Sequence, residues 1–286
     1  MKQLIFTACL FLGVGALGVR AQQKEFKETI RKEIPLANSV ESTLVVRNVF
    51  GSVEVEGYQG NQVIVEVERT IMAKSTEDLE LGKGELQLEI VQEPKRIIFH
   101  PDAPYINFDK DRLSYNWCNN NDIPYEHRLN FKLKVPSSVT INVSTINDGE
   151  IVVKNTKGDH VVAANINGGI TLTNIMGKTY ADCINGPVTI SYAENPKDAS
   201  RYHALNGDIN ISYQKSLSAN ISFKSMNGDL YTDFDISKQF VKTDKDKGNR
   251  DKPKYKFEAT PVVQIGSGQV DFDFETMNGN VFIKKI

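Results

Sequence analysis

The chain has 286 residues, with 34 Lys and Arg against 36 Asp and Glu and a formal net charge of −2. That near-balance leaves no polycationic footprint and excludes nucleic acid as an expected partner. The length suffices for a real apolar core, so a disulfide framework is not needed to organise the fold.

Taken in chain order, the first segment reads as a leader. Lys2 gives a positive start, Leu4 through Val19 form an uncharged apolar run, and Val19-Arg20-Ala21 puts small residues at the −3 and −1 positions of a cut. This is the pattern of a secretory signal peptide, residues 1–21. The run is shorter than the roughly 20 residues a membrane-spanning helix needs. Cys9 lies too early in it for a lipoprotein cut, so no lipid anchor is expected. Loss of Lys2 and Arg20 leaves a mildly acidic mature chain with no second apolar run of membrane length. In an oxidising compartment Cys118 and Cys183 are permitted to pair.

Residues 22–136 are expected to form an N-terminal β region. Thr43–Arg47, Phe50–Val55 and Gln62–Glu68 alternate as strands, and so do 85–99 and 127–135. Ser75-Thr76-Glu77-Asp78 opens a short helix over 75–84 with a capping-box-like start. The stretch 99–125 departs from the alternation. Its rings Tyr105, Phe108, Tyr115, Trp117 and Tyr125 stand among amides, a composition suited to stacking on a sugar or peptide. These five are the candidate ligand-binding residues; the competing role for them is to brace the end of a repeat array.

Residues 137–286 carry the strongest signal, an internal repeat. A small residue, an aliphatic or Met, Asn and usually Gly recur six times, as in Asn165-Ile166-Asn167-Gly168 and Ser225-Met226-Asn227-Gly228. The Asn positions are 147, 167, 185, 206, 227 and 278, and the first five are separated by 18 to 21 residues. Half-copies at Asn155 and Asn174 divide each period into two short strands and two corners. A single two-strand coil cannot bury its apolar face, whereas stacked coils share one core. The expected fold is therefore all-β, a single-stranded β-solenoid (β-helix) with coils of roughly 20 residues. Stacking would align Thr145, Asn165, Cys183, Ala204, Ser225 and Thr276 in one column and the six Asn side chains in a structural corner ladder. Asn-Gly is also a hairpin signal, but the recurrence of residue kind around it favours stacking. Both residues tolerate φ > 0, which suits a corner. The wide spacing before Asn278 marks an interruption, the mixed-charge loop 237–256.

No catalytic constellation stands out. Asp208 and Asp229 occupy the same repeat position and would lie one coil apart, but the equivalent positions hold Glu150, Gly169, Pro187 and Asn280, as a solvated turn does. His100, His127, His160 and His203 are scattered without metal-ligand spacing. No catalytic, metal or cofactor residue is assigned, and no cofactor is expected.

Arg47-Asn48-Val49-Phe50-Gly51-Ser52-Val53-Glu54-Val55-Glu56-Gly57, the repeated Asn-Gly units and the closing Thr276-Met277-Asn278-Gly279-Asn280-Val281 resemble the bacterial putative-adhesin β-strand-repeat domain family of unknown function. The leader and composition are similar to exported proteins of the Bacteroides group. The resemblance covers about residues 40–286 and implies a β-helical solenoid, export, and a periplasmic or cell-surface place. The expected function is a non-enzymatic, adhesin-like binding or structural scaffold of the envelope, its partner a protein or glycan there. The alternatives are a periplasmic protein-interaction or envelope-signalling component and, least favoured, a carbohydrate-active β-helix enzyme.

Overall fold

The computed structural model describes residues 23–117, 123–243 and 259–286. The leader 1–21 and Cys118 lie outside the described residues, as does the middle of the charged loop. The N-terminal region holds β1 (Lys24–Pro35), β2 (Thr43–Arg47), β3 (Val53–Tyr58), β4 (Gln62–Ala73), α1 (Thr76–Glu85), β5 (Gln87–Glu93), β6 (Arg96–Asp102), β7 (Ile106–Asp109), β8 (Ser114–Trp117) and β9 (Tyr125–Pro136). The repeats form β10 (Thr140–Thr145), β11 (Ile151–Lys154), β12 (His160–Asn167), β13 (Ile170–Ile175), β14 (Lys178–Asn185), β15 (Val188–Tyr192), β16 (Ser200–Asn206) and β17 (Ile209–Tyr213). Then come β18 (Ala219–Asn227), β19 (Leu230–Thr232), β20 (Ile236–Thr243), β21 (Ala259–Ile265), β22 (Val270–Asn278) and β23 (Val281–Lys285).

The architecture is all-β, and its pairing is solenoid-like. A 10-stranded sheet runs β1-β4-β9-β3-β11-β13-β15-β17-β23-β19, and an 11-stranded sheet runs β20-β21-β18-β22-β16-β14-β12-β10-β2-β6-β5. Consecutive strands such as β12 and β13 belong to opposite sheets, so the Asn-Gly corners join sheets rather than hairpin partners. Each pair of strands is one rung, and rungs stack through parallel, in-register ladders. The stack begins before the repeats, since β2 and β3 pair in parallel with β10 and β11, and β6 and β9 pair in parallel with β2 and β3. Antiparallel strands β4, β1 and β5 close one end, and β21 and β20 close the 11-stranded sheet at the other, where β19 leaves the 10-stranded sheet with an open edge.

The order of the rungs departs from chain order. The last rung in sequence, β22–β23, sits between β16–β17 and β18–β19. The chain therefore leaves one slot empty after Tyr213 and fills it from the C-terminus. The charged interruption is also more ordered than a loop at its base: residues 236–243 form β20, paired antiparallel with β21.

Inward positions alternate with outward ones along each strand, as a half-buried strand requires. The interior is aliphatic over most of its length and turns aromatic near the swapped rung. Tyr192, Tyr202 and Tyr213 are fully buried there beside Phe272 and Phe274. Their hydroxyls satisfy one another, Tyr192 to Tyr202 at 2.7 Å and Tyr213 donating to Tyr202 at 3.0 Å. Burial of these groups without partners would be costly; joined, they add polar specificity to an apolar core. Helix α1 starts at Ser75, whose Oγ accepts from the Asp78 amide at 3.0 Å.

Apart from Gly168, at φ 154°, the corner glycines that follow the ladder Asn residues owe their place to close approach and not to positive φ. Left-handed non-glycine residues stand at Asp148 and at the half-copy corners Asn155 and Asn174, with φ of 57°, 58° and 54°. A Cβ on Gly207 would strike the carbonyl of Gly186, and one on Gly279 would strike the carbonyl of Gly207.

Candidate binding surface

The aromatic insertion folds back onto the molecule. Strands β7 and β8 form a separate hairpin. Alternation places Val45 and Ile98 on the outward face of their sheet, paired with each other, yet both are fully buried. The hairpin packs on the neighbouring residues His100 and Arg47. Phe108 stacks on buried His100 with centroids 4.1 Å apart and meets Tyr115 at 5.2 Å. The Tyr115 hydroxyl donates to the Arg47 carbonyl at 2.7 Å, and Arg47 Nε donates to the Leu113 carbonyl at 3.1 Å. Burial lowers the Arg47 pKa to about 10 and raises that of Tyr115. Tyr125 is buried and donates to Glu85 at 2.9 Å, while half-buried Tyr105 approaches it at 6.1 Å between centroids. Trp117 pairs through its backbone with Ile106; its side chain lies outside the described residues. Phe108 and Tyr115 thus pack on the outward face of β2 and β6, whereas Tyr125 belongs to the main core and Tyr105 packs against it.

His127 belongs to the same cluster. Its Nδ1 is 3.1 Å from the Tyr105 hydroxyl, Phe50 meets its ring edge-on, and its Nε2 is buried without a partner. Burial lowers its pKa from 6.5 to about 4. The unfolded chain therefore takes up a proton below pH 6.5 that the folded chain refuses. Stability should fall as pH drops from about 6.5 to about 4, by up to about 3 kcal/mol, and fall no further from this group below that. His127→Leu should flatten the slope, read by urea unfolding at a series of pH values; an unchanged slope would show that another group sets it.

At the Asn-Gly corner the six Asn residues form one continuous side-chain ladder. Five of them donate Nδ2 to the Oδ1 of a neighbouring rung: Asn167 to Asn147, Asn185 to Asn167, Asn206 to Asn185, Asn278 to Asn206 and Asn227 to Asn278, all at 2.8–2.9 Å. A second, shorter link joins Asn174 to Asn155 at 2.7 Å. Beneath the main ladder, Thr145, Asn165, Cys183, Ala204, Thr276 and Ser225 are in register. Two of them reach glycine carbonyls, Thr145 that of Gly51 at 2.7 Å and Asn165 that of Gly149 at 3.0 Å, while the buried hydroxyls of Ser225 and Thr276 have no partner among the described residues. Asn185→Ala removes two links and should destabilise by about 1–2 kcal/mol. Asn227→Ala, at the ladder's end, removes one and should cost about half as much. Chemical denaturation of both variants checks the ratio.

A family model described as Toastrack DUF4097 matches residues 137–284, more than half the chain and coincident with the rungs that carry this ladder. The chain belongs to the Toastrack DUF4097 family. Solved structures similar to this Toastrack chain include a "putative cell adhesion protein" from Clostridium sporogenes, at 10% identity, 93% coverage of this chain and 100% of that one, with a TM-score of 0.38. A "putative lipid binding protein" from Parabacteroides distasonis is 12% identical over 91% of this chain and 96% of that one, with a TM-score of 0.37. A "putative adhesin" from Bacteroides fragilis is 8% identical over 91% and 97%, with a TM-score of 0.33. No curated protein matches the chain.

The Toastrack rungs also rearrange the acidic pair weighed for hydrolysis. Asn280 lies between Asp208 and Asp229, so the two carboxylates are two rungs apart, not one. Asp208 accepts the Asn280 amide at 2.8 Å, and Asn280 Oδ1 accepts the Asp229 amide at 3.0 Å. These side chains hold the backbone of the next rung. Cys183 is buried, donates to the Gly168 carbonyl at 3.1 Å, and has its pKa pushed up to about 11 by burial and by Asp182. His203 pairs with Asp182 at 2.7 Å on the outer face. Among the described residues no cluster of three or more His, Cys, Asp or Glu is placed to hold a metal, and no helix is long and apolar enough to cross a membrane.

Proposed function

We propose that this chain is an exported, non-enzymatic, adhesin-like binding or structural scaffold of the bacterial envelope, built as one β-solenoid. One observation carries the reading: in-register parallel rungs, filled with apolar side chains and tied by an amide ladder, present long flat outer faces on a rigid support. Repeat arrays commonly bind through such extended surfaces. The aromatic hairpin strengthens the scaffold by covering one patch of sheet, and recognition falls to the outward faces of the rungs.

The test is location. Mass spectrometry of the protein from a native host should find a mature N-terminus at Gln22, and cell fractionation should place it in the envelope. Protease shaving of intact cells then separates a surface adhesin from a periplasmic interaction component. An unprocessed protein in the cytosolic fraction would end the proposal.

A further inference from the structure

The two outer faces differ in chemistry. On the 11-stranded sheet the outward positions of β10 and β12 are Asn142, Ser144, Val162 and Ala164, and from β14 onward the columns are charged and mixed, with Asp182 against His203 and Arg201 paired with Glu275 at 3.1 Å. On the 10-stranded sheet the outward positions of three successive rungs carry no charge. They are Thr171 and Thr173 on β13, Thr189 and Ser191 on β15, and Asn210 and Ser212 on β17, aligned pair by pair across the ladders. In a chain where 24% of residues are charged, such a block is a departure. It is bounded on one side by Lys154, which pairs with Glu54 at 3.2 Å, and on the other by the swapped rung. There Phe282 continues the column from Asn210 and stacks on Tyr231 of β19, centroids 5.1 Å apart and planes 12° from parallel. Tyr231 is 50% exposed and sits on the open edge of the sheet.

These groups are not occupied with one another. Ser191 accepts the Asn174 amide at 3.3 Å; the side chains of Thr171, Thr173, Thr189, Asn210 and Ser212 enter no hydrogen bond or ion pair within the described protein. Uncharged donors and acceptors therefore stand at regular intervals of about 4.8 Å along the stack, ending at an aromatic stack in one column and at Lys284 in the other. A ligand matching them must be extended and uncharged, carry hydroxyls or amides at a repeat near one rung, and offer an apolar face to a ring. A neutral polysaccharide has all of these properties. A charged polymer would lose its hydration over this block without gaining an opposite charge.

We infer that the outward face of β13, β15 and β17, with the Tyr231–Phe282 stack at its end, binds a neutral glycan chain. This rests on the scaffold reading above and adds its ligand class.

The test uses the full mature chain on an array of neutral glycans (β-glucans, mannans and N-acetylglucosamine oligomers) with acidic polyuronates alongside. Binding to at least one neutral polymer is expected, with no preference for the acidic ones. Thr189→Lys and Tyr231→Ala change exposed side chains and should each weaken binding at least tenfold at unchanged Tm. Tyr180→Ala, on the opposite sheet, should bind as the parent does. Absence of neutral-glycan binding, preference for polyuronate, or equal binding by all three variants would overturn the inference. An envelope location combined with any of those outcomes would leave the scaffold reading standing.

Discussion

Truncation after Gly268 is expected to unfold far more than the residues removed. The lost segment is the rung β22–β23, and its inward side chains Phe272, Phe274, Val281 and Ile283 are all buried. Removing one large core side chain typically costs about 3–5 kcal/mol, so losing four together rivals the whole stability of a typical domain, about 5–15 kcal/mol. The position of the rung makes the loss worse. Phe272 stacks on Tyr213 at 5.4 Å and Phe274 lies 4.7 Å from Tyr202, so truncation would open the buried hydroxyl cluster to water. It would also leave β18 and β19 without the strands they pair with in parallel. Stability in a stacked array is mainly a sum of nearest-neighbour terms, so the rungs β10–β15 should survive. Hydrogen exchange should therefore show protection lost over β18, β19 and β21 and kept over β12–β15. Protection retained in β18 would mean that this rung can pack directly on β16, against the observed order.

The second large effect comes from a single methyl group. Gly207→Ala is expected to destabilise by about 3 kcal/mol or more, at the upper end for a point substitution. Its Cβ would run into the Gly186 carbonyl, and this neighbour is backbone held in register by the ladders, which cannot rotate away as a flexible side chain could. The same collision recurs at Gly186 against Gly168 and at Gly279 against Gly207, so the corner is a column of backbone contacts with no room for side chains. Gly84 is the internal control. It lies in α1 with nothing within 4 Å of an added Cβ, and Gly84→Ala should stabilise by up to about 1 kcal/mol through helix propensity. Thermal and urea unfolding of the two variants should therefore move in opposite directions. A neutral Gly207→Ala would show that adjacent rungs are more loosely stacked than described.

Much of this could be read in the sequence because a repeat reports its own geometry. The recurrence of a small residue before each Asn set the inward column, and the recurrence of Asn set the ladder; both depend only on which residues share a position. The interleaved rung was not legible for the same reason. Ala204 can stand equally well beneath Ser225 or Thr276, and the wide gap before Asn278 marks an interruption without saying which slot is filled afterwards. A weak signal did exist. The buried rings Tyr202 and Tyr213 find their stacking partners in Phe272 and Phe274, whereas the rung that follows them in sequence offers only partly buried Phe223. The aromatic insertion left two roles open, ligand contact and bracing of the array. Composition alone does not separate the two, because the partners of these rings are distant in sequence: His100 for Phe108, the Arg47 carbonyl for Tyr115 and Glu85 for Tyr125. The uncharged face was missed because Thr, Ser and Asn at outward strand positions look ordinary until the ladders place them side by side.

Disulfide trapping at the Asn corner tests the central claim, the order of the rungs, most directly. In a chain starting at Gln22 whose own thiols are replaced (Cys118→Ser, Cys183→Ala), cysteine pairs would be placed at Asn206 with Asn278, Asn278 with Asn227, and Asn206 with Asn227. Adjacent rungs bring Cα atoms to about 4.8 Å, within the range a disulfide spans, whereas two rungs exceed the limit of about 7 Å. The structure predicts oxidation of the first two pairs and none of the third. A bond between positions 206 and 227 with none between 206 and 278 would show the rungs stacked in chain order and would contradict it.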